Sequence, residues 1–285
     1  MIKRKCWPVI SIKESVDMLA SSWRWWRGQR NPVFMQAKRL LNTLEAHGVA
    51  CTEINALLPQ SLQIPSISWS TAEHLSGALT QGHIDWVNHF FDLDTGWLAG
   101  RSQGAHRTID NYKAPEKLHE WFEAQGKQQY DRFRLCFATS SPTPFDQHTR
   151  GVFSVVLEEF FAVGDEAHSR YYLLSDGAGF DHPPCVLHLM QILAIAHHYK
   201  VIMRRCLLAE KDLHPLACGE GLIPHWLFKN RGTTLNADHE FWPHFSGKPA
   251  WLEEQRAMCD ASLMAAGLHN VVETVRRDRS RFARA

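Results

Sequence analysis

The stretch His-Ile-Asp-Trp-Val-Asn-His-Phe-Phe-Asp-Leu-Asp-Thr-Gly-Trp-Leu-Ala-Gly, residues 83–100, decides how the N-terminal part of the chain is read. Ile84, Val87 and Phe91 recur at three and four, so they line one face of a helix that Thr80 can cap. Asp94 can cap a single further turn carrying Trp97 and Leu98, and Gly100 is placed to end it.

Working back from this stretch, Phe34, Ala37, Leu40, Leu41 and Leu44 give Phe34–His47 an apolar helical face, with Gly48 as the stop. Asn31-Pro32 marks a break before it. Cys51–Leu58 reads as a second short helix closed by Pro59. Ser70–Leu79, after a loop containing Pro65, reads as a third. Five short helices in about 70 residues predict a compact bundle over residues 34–102.

Residues 38–101 resemble the Xre/Cro-type helix-turn-helix family. The opening Lys-Arg-Leu-Leu-Asn-Thr-Leu-Glu-Ala-His-Gly-Val (38–49) is similar to the family's first helix and its turn. The close at 83–100 is similar to its fourth and fifth helices, which end on Trp-Leu-x-Gly. The resemblance implies that the helix carrying Ser70, Thr71, Glu73 and His74 is the one presented to the major groove, with neighbouring helices donating to phosphates. The sequence departs from the family in two places. This helix has no Arg or Lys, so bidentate reading of guanine is not available from it, and the connection Pro59–Trp69 is longer than a tight turn.

Cations must then come from elsewhere. Residues 1–40 hold nine Lys and Arg against two acids, whereas the whole chain balances 31 against 30. Residues 1–33 form a basic, Trp-rich flank in which Trp-Arg-Trp-Trp-Arg-Gly-Gln-Arg (23–30) mixes aromatics with guanidiniums. Arg24, Arg27, Arg30, Lys38 and Arg39 are therefore the expected phosphate contacts. The tryptophans also suit an amphipathic flap packed on the bundle.

Beyond the bundle, residues 103–127 read as a linker with one helix, Pro115–Ala124. Residues 128–285 read as an α+β domain for dimerisation or sensing. Phe133, Leu135 and Phe137 alternate as in a strand. Val152–Val163 and Arg170–Ser175 flank Gly164-Asp165-Glu166-Ala167 as a hairpin, and Val201–Leu208 is a further strand. Pro183-Pro184 opens a helix through Tyr199 that is apolar almost all round, hence buried. Ala250–Gly267 and His269–Arg281 are closing helices. The fold class expected is thus α+β: an N-terminal all-helical, five-helix bundle of helix-turn-helix type followed by a mixed α/β domain.

Seven scattered cysteines with no Cys-x-x-Cys spacing argue against a disulfide framework or zinc knuckle and for a reducing compartment. No stretch reaches the roughly 18 apolar residues of a membrane span, so no membrane partner and a cytoplasmic location are expected. Among the 17 histidines, His239-Glu240-Phe241-Trp242-Pro243-His244 has the wrong spacing for a zincin, and Pro243 would break its helix. No metal, cofactor or catalytic constellation is expected, since neither a phosphate loop nor a Gly-x-Ser-x-Gly elbow is present. Trp226, Trp242 and Trp251 are candidates to line a ligand pocket.

These features point to a transcriptional regulator that binds double-stranded DNA as a homodimer. The alternative is a protein-interaction module whose bundle no longer reads DNA. A third reading is an enzyme whose site lies unrecognised in the C-terminal domain.

Overall fold

A computed structural model describes residues 31–126, 132–141, 147–228, 234–235 and 250–282. The fold is mixed α+β. Its contacts separate Val49–Ile84 and the helix residues up to Glu45 from a second unit, made of Ala46–Gly48 and the chain from Asp85 onward.

The first unit is helical. Helix α1 (Pro32–Ala46) starts where Asn31 Oδ1 accepts the Val33 N–H at 3.0 Å, with Pro32 in the first turn. It stops before Gly48, whose φ of +80° is left-handed backbone that glycine adopts without a Cβ penalty. Leu40 and Leu44 are buried on its inner face. Helix α2 (Ile54–Leu57) is a single turn. The long Pro59–Trp69 connection is not loose, because two side chains pin it. Asn55 donates to the Ile64 carbonyl at 2.7 Å and accepts the Trp69 indole N–H at 3.0 Å, and His83 meets the Leu62 carbonyl at 2.8 Å. Helix α3 (Ala72–Ser76) is capped by Thr71 and buries Leu75, and α4 spans Gln81–Phe91.

His83 makes the start of α4 resemble a capping box. Its Nδ1 accepts the Thr80 N–H at 3.1 Å, so the ring proton sits on Nε2 and donates to Leu62. The fifth helix expected near residue 94 is instead a hydrogen-bonded turn. Trp97 N–H donates to the Asp94 carbonyl and Gly100 N–H to that of Trp97, while Asp94 Oδ1 accepts the Gly96 N–H at 2.8 Å.

The second unit is built on a mixed sheet of five strands in the order β3-β2-β1-β4-β5. The strands are β1 (Phe133–Thr139), β2 (Ser154–Val163), β3 (Glu166–Leu173), β4 (Ile202–Leu207) and the two-residue β5 (Thr234–Leu235). The β2–β3 hairpin pairs Val163 with Glu166, so its turn is the glycine-led segment the sequence marks. The β1–β4 pair is parallel, and α6 (Pro183–His198) lies between β3 and β4 in the chain. Phe133, Leu135, Phe137, Val155 and Leu157 face a large core with α5 (Pro115–Gln125), α6, α9 (Ala250–Ala265) and α10 (His269–Phe282). Cys136, Ala138, Val156, Tyr171 and Leu173 share a second, smaller cluster with α7 (Glu210–Ala217) and α8 (Ile223–Phe228).

Helix α6 carries two polar residues that would be costly in so apolar a place without partners. Each has one. His188 Nε2 is bonded to Asn111 Oδ1, and Gln191 donates to Ser262 Oγ at 2.8 Å. Asn111 in turn donates to the carbonyls of Ile109 and Leu174. The stretch read as a linker is thereby stitched to the sheet: Ile109 N–H donates to Leu173, Leu173 N–H to Arg107, and Ala105 N–H to Gly221.

One cysteine expectation is corrected. Cys136 and Cys206 form a disulfide, because β1 and β4 are adjacent and bring two residues 70 apart to a Cα separation of 6.3 Å. Cys51, Cys185, Cys218 and Cys259 are not disulfide-bonded.

Candidate functional site

The site residues expected from the sequence are brought together in part. Arg24, Arg27 and Arg30 lie outside the described residues. Lys38 is exposed on α1 and, with Ser70 and Glu73, lines a groove of about 580 Å³ whose apolar walls include Phe34, Leu41, Ile54 and Trp69. Arg39, Thr71 and His74 are not in this groove.

The polar atoms of the expected reading helix are partly committed to one another. Thr71 Oγ1 accepts the His74 N–H at 3.2 Å as the N-cap. Ser70 Oγ donates to the Ile67 carbonyl at 2.7 Å, so it accepts from His74 Nδ1 at 2.9 Å. In its neutral form His74 then has a bare Nε2. Besides the Thr71 hydroxyl proton, what α3 offers to a partner is acceptors: the exposed Glu73 carboxylate and the exposed His74 Nε2. With five residues, α3 has one turn to present. Among the described residues this unit holds two cations, Lys38 and Arg39, against Glu45, Glu53 and Glu73.

The sheet unit holds a second candidate site that sequence reasoning did not single out. The register pairs Arg134 with Glu158 and Glu158 with Tyr171, and it sets Arg204 opposite Cys136. These residues share the sheet face of the α7–α8 cluster. They line a cavity of about 490 Å³ with Phe160, Ser169, Leu227 and the Cys136–Cys206 pair. Glu158 Oε1 accepts from Ser169 Oγ and Tyr171 Oη, each at 3.0 Å, and Oε2 faces Arg134 Nη1 at 3.3 Å. The Arg134 guanidinium lies 4.7 Å from the centre of the Phe160 ring, and its Nε is buried without a hydrogen-bond partner. Period-2 alternation was the available signal. The residues between the core-facing Phe133, Leu135 and Phe137 must lie on the other face.

Other polar clusters in this unit are explained by the fold. His197 Nε2 lies 2.9 Å from Asp278 and His198 Nδ1 3.0 Å from Thr274 Oγ1, which ties the end of α6 to α10. Trp226 packs with the α7–α8 cluster and Trp251 against the main core, so these two do not share a pocket. Trp242 and the His239–His244 stretch lie outside the described residues. Among the described residues no three His, Cys, Asp or Glu side chains are grouped to hold a metal, and no helix is long and apolar enough to cross a membrane.

No family model, no curated protein and no solved structure matches this chain.

Proposed function

We propose that the chain is a DNA-binding regulator, in which the N-terminal helical unit docks on the duplex and the sheet unit dimerises or senses a ligand. The observation that carries this reading is the acceptor-rich end of α3. Thr71 and Ser70 hold the turn in place, and Glu73 and His74 Nε2 are left exposed. In the major groove, acceptors pair with the amino donors of cytosine N4 and adenine N6, and they repel the O6/N7 edge of guanine. Lys38 and Arg39, with Arg24, Arg27 and Arg30 of the flank, are the cations this reading assigns to phosphates.

Selection from a random duplex library with the full chain tests it. The expected result is a short motif rich in cytosine or adenine, lost or changed in Glu73→Ala and His74→Ala. A library that emerges without enrichment overturns the reading.

A second reading is favoured by the charge of the described helical unit, where three carboxylates outnumber two cations. The bundle then docks a protein, with the apolar groove between Phe34, Ile54 and Trp69 as the contact. An unenriched library, together with loss of an interaction on Phe34→Ser, distinguishes this case.

A further inference from the structure

We infer that the cavity on the α7–α8 face of the sheet binds a small organic carboxylate with a flat apolar body, its carboxylate held between the guanidinium groups of Arg204 and Arg134. This gives the sensing role proposed for the sheet unit a ligand class. It stands on the cavity alone and not on any reading of the helical unit.

Size comes first. About 490 Å³ falls within the range of small-molecule pockets, roughly 300–1,000 Å³. Charge decides the sign of the guest. Among the described residues, three side chains line the cavity with full charges: Arg134, Arg204 and Glu158. The carboxylate already has three donors, Ser169, Tyr171 and Arg134, the last of which offsets its charge. The guanidiniums are less fully matched. The Arg204 side chain has no hydrogen bond or ion pair among the described residues, and the Arg134 guanidinium has one hydrogen-bond partner, Glu158, through Nη1. A guanidinium is matched best by a planar, two-oxygen anion.

Shape supplies the rest of the ligand. Phe160, Tyr171, Leu227 and the Cys136–Cys206 pair form the apolar wall, and the Arg134 guanidinium already lies over the Phe160 ring. A bare inorganic anion would leave that wall wet. A flat hydrocarbon body covers it.

The test is calorimetric titration of the full chain at low salt with 3-phenylpropanoate, succinate and inorganic phosphate as probes. Saturable binding of 3-phenylpropanoate, tighter than either of the others, is expected. Arg204→Gln changes an exposed side chain and should weaken that binding by about tenfold or more. Glu158 is the one carboxylate lining the cavity among the described residues, so Glu158→Gln should leave anion binding intact or strengthened, with circular dichroism showing that both variants are folded. Unchanged affinity in Arg204→Gln overturns the assignment. So does tighter binding of phosphate than of the aromatic acid, or no saturable heat with any probe at about 10 mM, a level at which even millimolar affinity would register.

Discussion

Glu158 and Glu159 are neighbours in the chain, yet their carboxylates lie on opposite faces of the sheet and do opposite work. Glu158 is half-buried at the cavity and accepts from Tyr171. Glu159, 2% exposed, lies on the core side, where it accepts from Tyr172 at 2.9 Å and from Arg132 at 2.6 Å, with Arg170 at 3.8 Å. Burial and the Glu159 charge push the Tyr172 phenol well above its ordinary range, so this tyrosine stays a donor.

Removing the buried charge leaves two guanidiniums without their counterion. Glu159→Gln should lower stability by about 3 kcal/mol, while Glu158→Gln, on the more open face, should lose only about 1 kcal/mol. Urea unfolding of both variants checks the order, and equal losses would show that Glu159 is not the structural partner of the pair.

Acid should destabilise the sheet unit through two histidines. Burial holds His188 at about 4, against an ordinary 6.5, and pushes His106 well down in the same direction, with His47 adding repulsion. Asn111 Nδ2 donates to carbonyls, so its Oδ1 accepts and His188 must keep its Nε2–H in the neutral ring. An unfolded chain protonates position 188 near pH 6.5, whereas folded His188 resists until near pH 4. The stability contributed by neutral His188 is thus complete above pH 6.5 and is lost as pH falls toward 4, by up to about 3 kcal/mol. His188→Gln, whose amide also donates, should flatten the fall in a pH series of melting curves. An unaltered slope in the variant assigns the effect to other groups.

In the helical unit, reading and packing are separable. Leu75 is fully buried on α3, whereas Glu73 and His74 are exposed. Leu75→Ala should cost about 2–5 kcal/mol by opening a cavity. Glu73→Ala and His74→Ala should stay within about 0.5 kcal/mol of the parent. Thermal unfolding of the three variants decides this. A large loss in His74→Ala would mean that its bond to Ser70 organises the turn.

Gly104 sits where two backbone segments meet. A Cβ there would overlap the Gly219 carbonyl oxygen, in a place where Ala105 and Gly221 also make backbone bonds to the neighbouring segment. Gly104→Ala should therefore destabilise by about 1–3 kcal/mol, although alanine is ordinarily tolerated in such backbone. Gly77→Ala, whose added Cβ would meet only the His74 carbonyl oxygen at 3.6 Å, is the control and should be close to neutral. Comparable melting temperatures for the two would sink the close-approach argument.

If the basic flank neutralises phosphates, replacing Arg24, Arg27 and Arg30 by Gln should weaken binding to all duplexes alike. The slope of log affinity against log salt should shrink by about 0.9 for each phosphate that is no longer neutralised. Light scattering on the same samples tests the expected homodimer, and a monomer both with and without DNA counts against paired half-sites.

Local pattern carried most of the secondary structure. The spacing of Leu40 and Leu44, the alternation of Phe133, Leu135 and Phe137, Pro183 at a helix start and Gly164 at a hairpin turn each act within a few residues, so a linear reading finds them. Helices α7 and α8 escape such a reading because they are short and α7 contains Pro215. What joins distant residues was not legible. Arg134, Glu158, Tyr171 and Arg204 meet because the order β3-β2-β1-β4 and its register place four strands side by side. The same crossover makes a disulfide of two cysteines 70 residues apart, and His188 finds Asn111 across 77. In the helical unit, sequence named Ser70, Thr71, Glu73 and His74 alike, but only the folded turn separates the first two, whose hydroxyls bond to the backbone, from the two that keep an acceptor for a partner. Periodicity is a property of neighbours along the chain, whereas strand order, register and the hydrogen-bond partner of a given oxygen are settled by which surfaces bury each other.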